Sequence, residues 1–488
     1  MKIKILLTIA SIIISGIIIG QSSFIKWINS PKNEILTNLE ILENEDVYFY
    51  SYMEGIYGTG SYYEIFNNYS KHYYTADLSL TNIDSLTLNT KNDYKLAQLT
   101  FICEYNGEII LFGPALDTAT YDMQLYMVWL DGNMNLLRDS IYGLPGRDDM
   151  MGGFFIDHND NIVFYRNYLG GKDAGQKTEI PTALWKFDME GNELGYKLDT
   201  IPYMLFLGGI DFPNKNRYQF QSHLYIAHYD YNLDYDTSYF WYEEAFSPKI
   251  TKQINDSSYF ISGEYNNMAP PFTYENFDLS FIIMGDEMNT SNLQIFGSPD
   301  TNEEFPRMDY ISLDTLFIGG RKSVVPGSSD TWVSIFKTNL EGDVFFQKNF
   351  GGYGRYSLTG LLATPDGGCI GTCSYWDFYE YPNMDNTDIL FLKFNSDGDL
   401  ITSVPENTPP IYISDFLVYP NPGKDVLNIS SGKDGLVIKL FDLNGKIILE
   451  QAFDKNTTIN TGFLPVGVYS YRINREGNLL ENGKWIKE

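Results

Sequence analysis

Residues Thr331–Tyr375 read TWVSIFKTNLEGDVFFQKNFGGYGRYSLTGLLATPDGGCIGTCSY, four short strands joined by three connections of different kinds. Trp332–Lys337 and Val344–Lys348 carry the aromatic and β-branched residues that suit a pleated, half-buried surface. Between them Asn339–Gly342 is a turn, where glycine supplies the positive φ of a tight hairpin. Gly351-Gly352 leads through an irregular link into Ser357–Ala363, and Pro365-Asp366-Gly367-Gly368 turns the chain into Cys369–Tyr375.

Outward from this unit the same punctuation recurs. With strands A to D counted from the Gly-rich link, A–B turns fall at Asn44–Asp46, Asn106-Gly107, Asp157–Asn161, Asn214–Asn216, Asn255-Asp256, Asp314 and Asp366-Gly367. The C–D turns fall near Asn82 and at Asp131-Gly132, Glu190-Gly191, Leu233-Asp234, Glu287, Glu341-Gly342 and Asp397-Gly398. Gly132 and Gly191 stand 59 residues apart, Gly342 and Gly398 stand 56 apart, and both series together give seven units. Four antiparallel strands at this period predict a seven-bladed β-propeller over residues 34–405. Glu34–Leu42 is expected as the innermost strand of blade one and Asp399–Val404 as the outermost strand of blade seven, with no strand exchanged to close the ring. Blades four and five rest on spacing more than on residues.

The 488 residues exceed one ordinary core, and 16% aromatic with 20% charged residues is a β-rich globular composition. A net charge of −29 argues against nucleic acid and anionic membrane as partners, since both require basic patches. Lys2 and Lys4 precede an apolar run from Ile5 to Ile19, the pattern of a signal peptide over residues 1–20. A segment 21–33 follows it, and no stable membrane span is expected after cleavage. Cys369 and Cys373 lie four apart in one strand, about 13 Å between Cα atoms, too far for a disulfide. No zinc spacing, P-loop or nucleophile motif is present, so neither a cofactor nor a metal nor a catalytic residue is assigned. Asp157–Asn161 and Asn395–Asp399 lack the glycine and later glutamate of a calcium loop and read as turns.

Pro405, Pro409 and Pro410 mark a linker at 406–410, and a small all-β sandwich follows over 411–488. Asn444-Gly445 between Val437–Leu443 and Lys446–Phe453 is a two-residue hairpin signal, and Val468–Ile473 alternates as a half-buried strand does. In order along this tail come Val418–Pro422 (VYPNP), Leu427–Ile429, Ile438–Asp442 with Asn444–Lys446, Leu464–Tyr471 (LPVGVYSY) and Gly483–Lys487. This series resembles the type A C-terminal sorting domain of the type IX (Por) secretion system, an immunoglobulin-like sandwich. The resemblance implies that Pro420, Asn421, Pro422, Gly445, Gly467, Tyr469, Gly483 and Lys484 belong to the sorting signal. It further implies Sec export to the periplasm, the type IX machinery as partner, and a final place outside the cell or on its surface. Ile335–Gly342, Phe350–Gly352 and Thr364–Gly368 resemble a blade of exported Bacteroidetes proteins, which brings no activity with it.

On one face of such a propeller the A–B and C–D turns are short everywhere. The B–C links on the other face are long: Met53–Lys71, Gly170–Pro181, Glu264–Asn276, Arg321–Asp330 and Trp376–Thr387. Their aromatics pack on one another or form a recognition surface, so Tyr62, Tyr274, Trp376 and Tyr379 are the candidate binding residues, for a glycan or a peptide. The expectation is an exported binding module. The alternative is an extracellular polysaccharide hydrolase or lyase using acidic residues of the propeller funnel, which a cluster of carboxylates about 5–10 Å apart there would favour.

Overall fold

Asp- and Asn-rich turns at regular spacing confine the chain to short antiparallel strands, and successive groups of strands fold into separate sheets. The computed structural model describes residues 24–28, 32–42, 47–55, 69–77, 83–86, 94–96, 101–117, 123–143, 151–167, 182–199, 206–266, 276–298, 301–323, 330–381, 386–400, 412–414, 416–419, 423–431, 433–442, 446–475 and 478–487. Seven sheets build the propeller. Blade one is Asn33–Ile41, Val47–Gly55, Tyr69–Asp77 and Ile83–Leu86. In blade two the innermost position is shared by Tyr94–Leu96 and Phe101–Tyr105, both paired with Glu108–Asp117, before Met123–Leu130 and Leu136–Tyr142. Blade three runs from Met151 to Asp199, blade four from Phe206 to Phe240, and blade five from Phe246 to Phe296. Blades four and five are complete four-stranded sheets; blade six runs from Asn302 to Gly351, and blade seven begins with Arg355–Ala363, Cys369–Trp376 and Asp388–Phe394.

The middle strands of a blade are covered on both faces by the neighbouring blades and therefore read as continuous apolar runs. Asp388–Phe394 is buried at every position, whereas the outer strand Thr290–Phe296 alternates with solvent. Apolar layers fill the spaces between successive blades. Phe112, Trp129, Phe164, Trp185 and Phe187 interlock between blades two and three, and Phe260, Phe281, Met308, Ile318 and Phe336 between five and six. A layer of Tyr50, Ala76, Ile370, Ile389 and Phe391 joins blade seven to blade one, so the ring is closed. Cys369 and Cys373 lie in the layer facing blade six as free thiols, and burial pushes the Cys369 thiol up to about 12.

Closure differs from the sequence expectation. The outermost strand of blade seven is Phe24–Ile28, paired along Asp388–Phe394 from Phe24↔Lys393 to Ile28↔Ile389. Asp399 and Leu400 form no strand, and residues 401–404 lie outside the described residues. A strand is therefore exchanged from the N-terminal end, and part of the segment assigned to 21–33 belongs to the propeller. The physical reason is edge pairing: a strand from the opposite end of the chain covers an open edge and locks first and last blades together. Blade six likewise gains a fifth strand, because Tyr412–Ser414 pairs with Asn349–Gly351 on the outer edge of Val344–Gly351.

The degenerate blades are explained by their turns. In the C–D turns at 131–135, 188–192, 230–234, 285–289 and 395–399 the first residue's N–H donates to the carbonyl of the fifth, and in these and at 339–343 the fourth takes a positive φ. Gly191, Gly342 and Gly398 do this without strain; Met134 (φ 65°), Leu233 (φ 66°) and Met288 (φ 60°) do it at a cost of roughly 1 kcal/mol each. A side-chain cap compensates: Asp230 Oδ1 accepts the N–H groups of Asn232 (2.9 Å) and Asp234 (2.8 Å). A glycine count thus under-reads blades whose backbone is the same.

The tail forms two sheets, Phe416–Tyr419/Val426–Ser431/Asn456–Asn460 and Ile447–Phe453/Leu436–Phe441/Gly467–Arg475/Asn478–Lys487, around Leu427, Ile438, Leu440, Ile473 and Trp485.

Candidate functional site

Of the four aromatic candidates, Tyr62 and Tyr274 lie outside the described residues, and so do most of the B–C links. Trp376 and Tyr379 are brought together on blade seven, with different tasks. Trp376 ends the second strand; its indole N–H donates to Tyr381 O at 2.7 Å and its ring meets Phe378 edge-on at 5.9 Å. Asp377 Oδ1 accepts the N–H groups of Tyr379 and Glu380, both at 3.1 Å, and so folds the turn. The turn projects Tyr379 outward, 53% exposed. The Tyr379 ring stacks on Tyr353 with centroids 4.8 Å apart, and its hydroxyl donates to Asp330 Oδ2 at 3.0 Å. Asp330 Oδ1 in turn accepts Gly354 N–H at 2.9 Å. Partial burial and then the Asp330 bond push the Tyr379 phenol up to about 12. The result is a fixed pair of exposed rings beside carboxylates.

Sequence reasoning missed a second group toward the axis. Asn302–Ser312 is the innermost strand of blade six, and its pairing slips between Glu304 and Arg307, where Pro306 has no N–H to give the ladder. Phe305 at this bulge has φ 57° and a ring 46% exposed. Its N–H donates to Glu264 Oε1 at 2.9 Å, and Lys249 braces Glu264 at 3.0 Å. The Arg321 guanidinium lies 4.5 Å from the Phe305 centroid and pairs with Glu304. Arg355 follows Tyr353 by two residues; burial, then the charge of Arg321, holds its guanidinium below the ordinary value. The one sequence signal was Phe305-Pro306 inside an otherwise regular strand.

Inside the funnel Glu40 of blade one meets the charges of Lys252 and Asp309 from blades five and six. Solvent reaches the Glu40 side chain, yet protein surrounds it, and this crowding pushes its carboxyl up to about 7 against the pull of Lys252. Asp309 has both oxygens engaged, one by Lys252 and the other by Ala363 N–H at 2.7 Å. Among the described residues no group of three or more His, Cys, Asp or Glu is placed to hold a metal ion.

The turn face is braced internally. Lys186 reaches Asp157 (3.1 Å) and Tyr218 (2.7 Å), while Lys393 donates to Thr364 Oγ1 (2.5 Å) and Asp366 Oδ1 (2.8 Å). His228 is buried against Gln219 at 3.0 Å, and burial lowers its pKa to about 4, so it stays neutral and structural. A cleft of about 680 Å³ lies where the tail approaches the propeller, with Phe336, Phe346, Lys322, Lys433 and Lys455 in its lining.

Of the tail residues, Tyr469 donates its hydroxyl to Pro465 O at 2.7 Å and packs on Trp485 at 5.9 Å. Gly467 pairs with Lys487, Gly483 with Tyr471, and exposed Lys484 with Ser470. Pro420, Asn421, Pro422 and Gly445 lie outside the described residues.

Residues 417–488 match the family model described as the secretion system C-terminal sorting domain. No curated protein matches the sequence. Among solved structures the chain is similar to a protein of unknown function from Bacteroides caccae, at 11% identity over 57% of this chain and 89% of that one, TM-score 0.36. It is similar to a luciferin-regenerating enzyme at 9% identity over 61% and 88%, TM-score 0.35. It is also similar to PorZ, a surface component of the type IX secretion system of Porphyromonas gingivalis, at 10% identity over 93% and 81%, TM-score 0.24. The propeller assignment rests on strand pairing and not on these distant likenesses. The chain is a seven-bladed β-propeller that carries, at residues 417–488, a type IX C-terminal sorting domain, the mark of a secreted or cell-surface protein.

Proposed function

We propose that the propeller is a binding module displayed outside the cell, taking a saccharide on the Tyr353–Tyr379 stack of its loop face. The observation that supports this is a pair of rings 45% and 53% exposed and yet held in place, by stacking and by the Asp330 hydrogen bond. Exposed rings disfavour solubility, and a flexible pair would lose much entropy on binding; a pre-set pair loses little. The negative ring face suits the C–H face of a sugar, and adjacent carboxylates accept its hydroxyls. The sorting tail is the export address for this module.

For the enzyme reading the described part of the funnel offers Glu40, whose carboxyl burial raises to about 7. Its acidic neighbour Asp309 is committed on both oxygens, whereas glycoside cleavage needs two available carboxyl groups. Binding is the better-supported function. A glycan array probed with the full chain tests it. Tyr353→Ala and Tyr379→Ala should abolish binding with the melting temperature unchanged; binding that survives both substitutions overturns the reading.

A further inference from the structure

We infer that the loop face holds a second subsite, centred on Phe305, Arg321 and Arg355, that takes a single carboxylate, so that the saccharide bound carries one acidic sugar. This rests on the saccharide reading above and adds the chemistry that the ligand must present.

Phe305 is the first sign. A bulky side chain at φ 57° is strained, and the strain is offset by no burial, since nearly half of the ring faces solvent. A core role would bury the ring, and a relaxed bulge would place glycine or asparagine there. The surroundings instead hold the strained residue: Glu264 accepts its N–H and Lys249 fixes Glu264. The ring serves as a platform on which the Arg321 guanidinium is laid flat.

Charge is the second sign. The charge of Arg321 opposes that of Arg355, while Glu304, the acid paired to Arg321, draws on both. Arg321 Nε is buried with no hydrogen-bond partner in the protein. In a chain of net charge −29 a local excess of positive charge is the exception. A carboxylate between the two forks relieves the repulsion with charge-assisted bonds, which Arg geometry favours. The acids Glu304 and Glu264, and the overall negative field, oppose polyanions and phosphate dianions. One monoanion is the charge that fits.

Position is the third. Arg355 lies two residues from Tyr353, and Asp330 ties Tyr379 to Gly354, so Arg355 belongs to the link between blades six and seven that carries the stack. The proposal requires that a sugar on the stack set its neighbouring carboxylate toward Arg355.

The test is binding of methyl β-glucuronide and methyl β-glucoside, which differ only at the carboxyl carbon, to the full chain by ligand-observed NMR titration. The glucuronide should bind about tenfold more tightly, and the difference should shrink with salt. Arg321→Gln and Arg355→Gln should each erase the difference while leaving the glucoside unaffected. Arg355→Gln alone decides the matter if loss of the Glu304 pair unfolds the first variant. Tyr379→Ala should abolish binding of both ligands. Equal binding of the two, or a preference that survives Arg355→Gln, overturns the carboxylate subsite and leaves the saccharide reading standing. Binding of neither overturns both.

Discussion

The Trp27 indole meets the Tyr375 ring edge-on, with centroids 5.4 Å apart, and so joins the N-terminal strand to the last blade. The contact sits in the apolar layer between blades six and seven, and it seals a strand pairing that spans the whole propeller in sequence. Trp27→Ala should therefore cost roughly 2–3 kcal/mol, less than a fully buried tryptophan because Trp27 is only half-buried. A chain beginning at Lys32 should lose more and associate through the bare edge of Asp388–Phe394. Denaturant melts and sedimentation of both variants check this; an unchanged midpoint for the truncated chain would show that the pairing does not hold the ring.

Trp376 and Tyr379, three residues apart, should separate in experiment. Trp376→Ala removes the N–H that closes the turn and should lower stability by about 1–2 kcal/mol. Tyr379→Ala removes an exposed ring and should stay within about 0.5 kcal/mol of the parent while losing saccharide binding. Thermal melts alongside array binding distinguish the two roles.

Asp388 gives the protein a pH signature. Burial, then the charges of Glu34 and Asp377, raise its carboxyl to about 7. The folded state then holds a proton that the unfolded state has released between about pH 4 and 7, so stability falls as pH rises through that window and is level above it. Asp388→Asn removes this penalty. It should stabilise the protein at pH 8 by roughly 1–2 kcal/mol and lessen the slope between pH 4 and 7, to which Glu40, raised to about 7, also contributes. Denaturant midpoints across that range measure the slope; a parent that gains stability with rising pH there contradicts the assignment.

Lys393 tests the turn braces. Its ammonium is buried and satisfied by Thr364, Asp366 and the carbonyl of Phe394. Lys393→Met keeps the volume and takes the ammonium away from Asp366, an expected loss of roughly 2–3 kcal/mol, moderated because Asp366 is partly exposed and keeps its bonds from Thr364 and Gly368. Urea unfolding gives the value, and a change below about 0.5 kcal/mol would demote the brace.

The tail and the linker strand should also part company. Truncation after Ser414 or after Ile411 removes the sorting domain, and both chains should fail to reach the cell surface. Only the second uncovers Asn349–Gly351 on the outer edge of blade six, and it alone should self-associate. Cell fractionation reads the first effect and light scattering the second.

The sequence by itself determined the repeat. Turn residues such as Asn339–Gly342 and Pro365–Gly368 act through local φ, ψ preferences, so their spacing yields the strand count, the blade count and the all-β class without any tertiary information. The tail was legible for the same reason, its motifs falling in order along one short sandwich. Trp376 and Tyr379 were legible as aromatic loop residues, but not as an anchor and a platform. Only tertiary structure decided what depends on residues far apart in the chain: that Phe24–Ile28 completes blade seven, that Tyr412–Ser414 extends blade six, and that Glu40 faces Lys252 and Asp309 across the funnel. Pairing of distant strands is set by which edges remain open once the ring has formed, and the chain records no local signal for that. Phe305 and Arg321 escaped notice for a related reason. Their meeting is made by a bulge in one strand and the end of its neighbour, a geometry that no spacing along the chain reports.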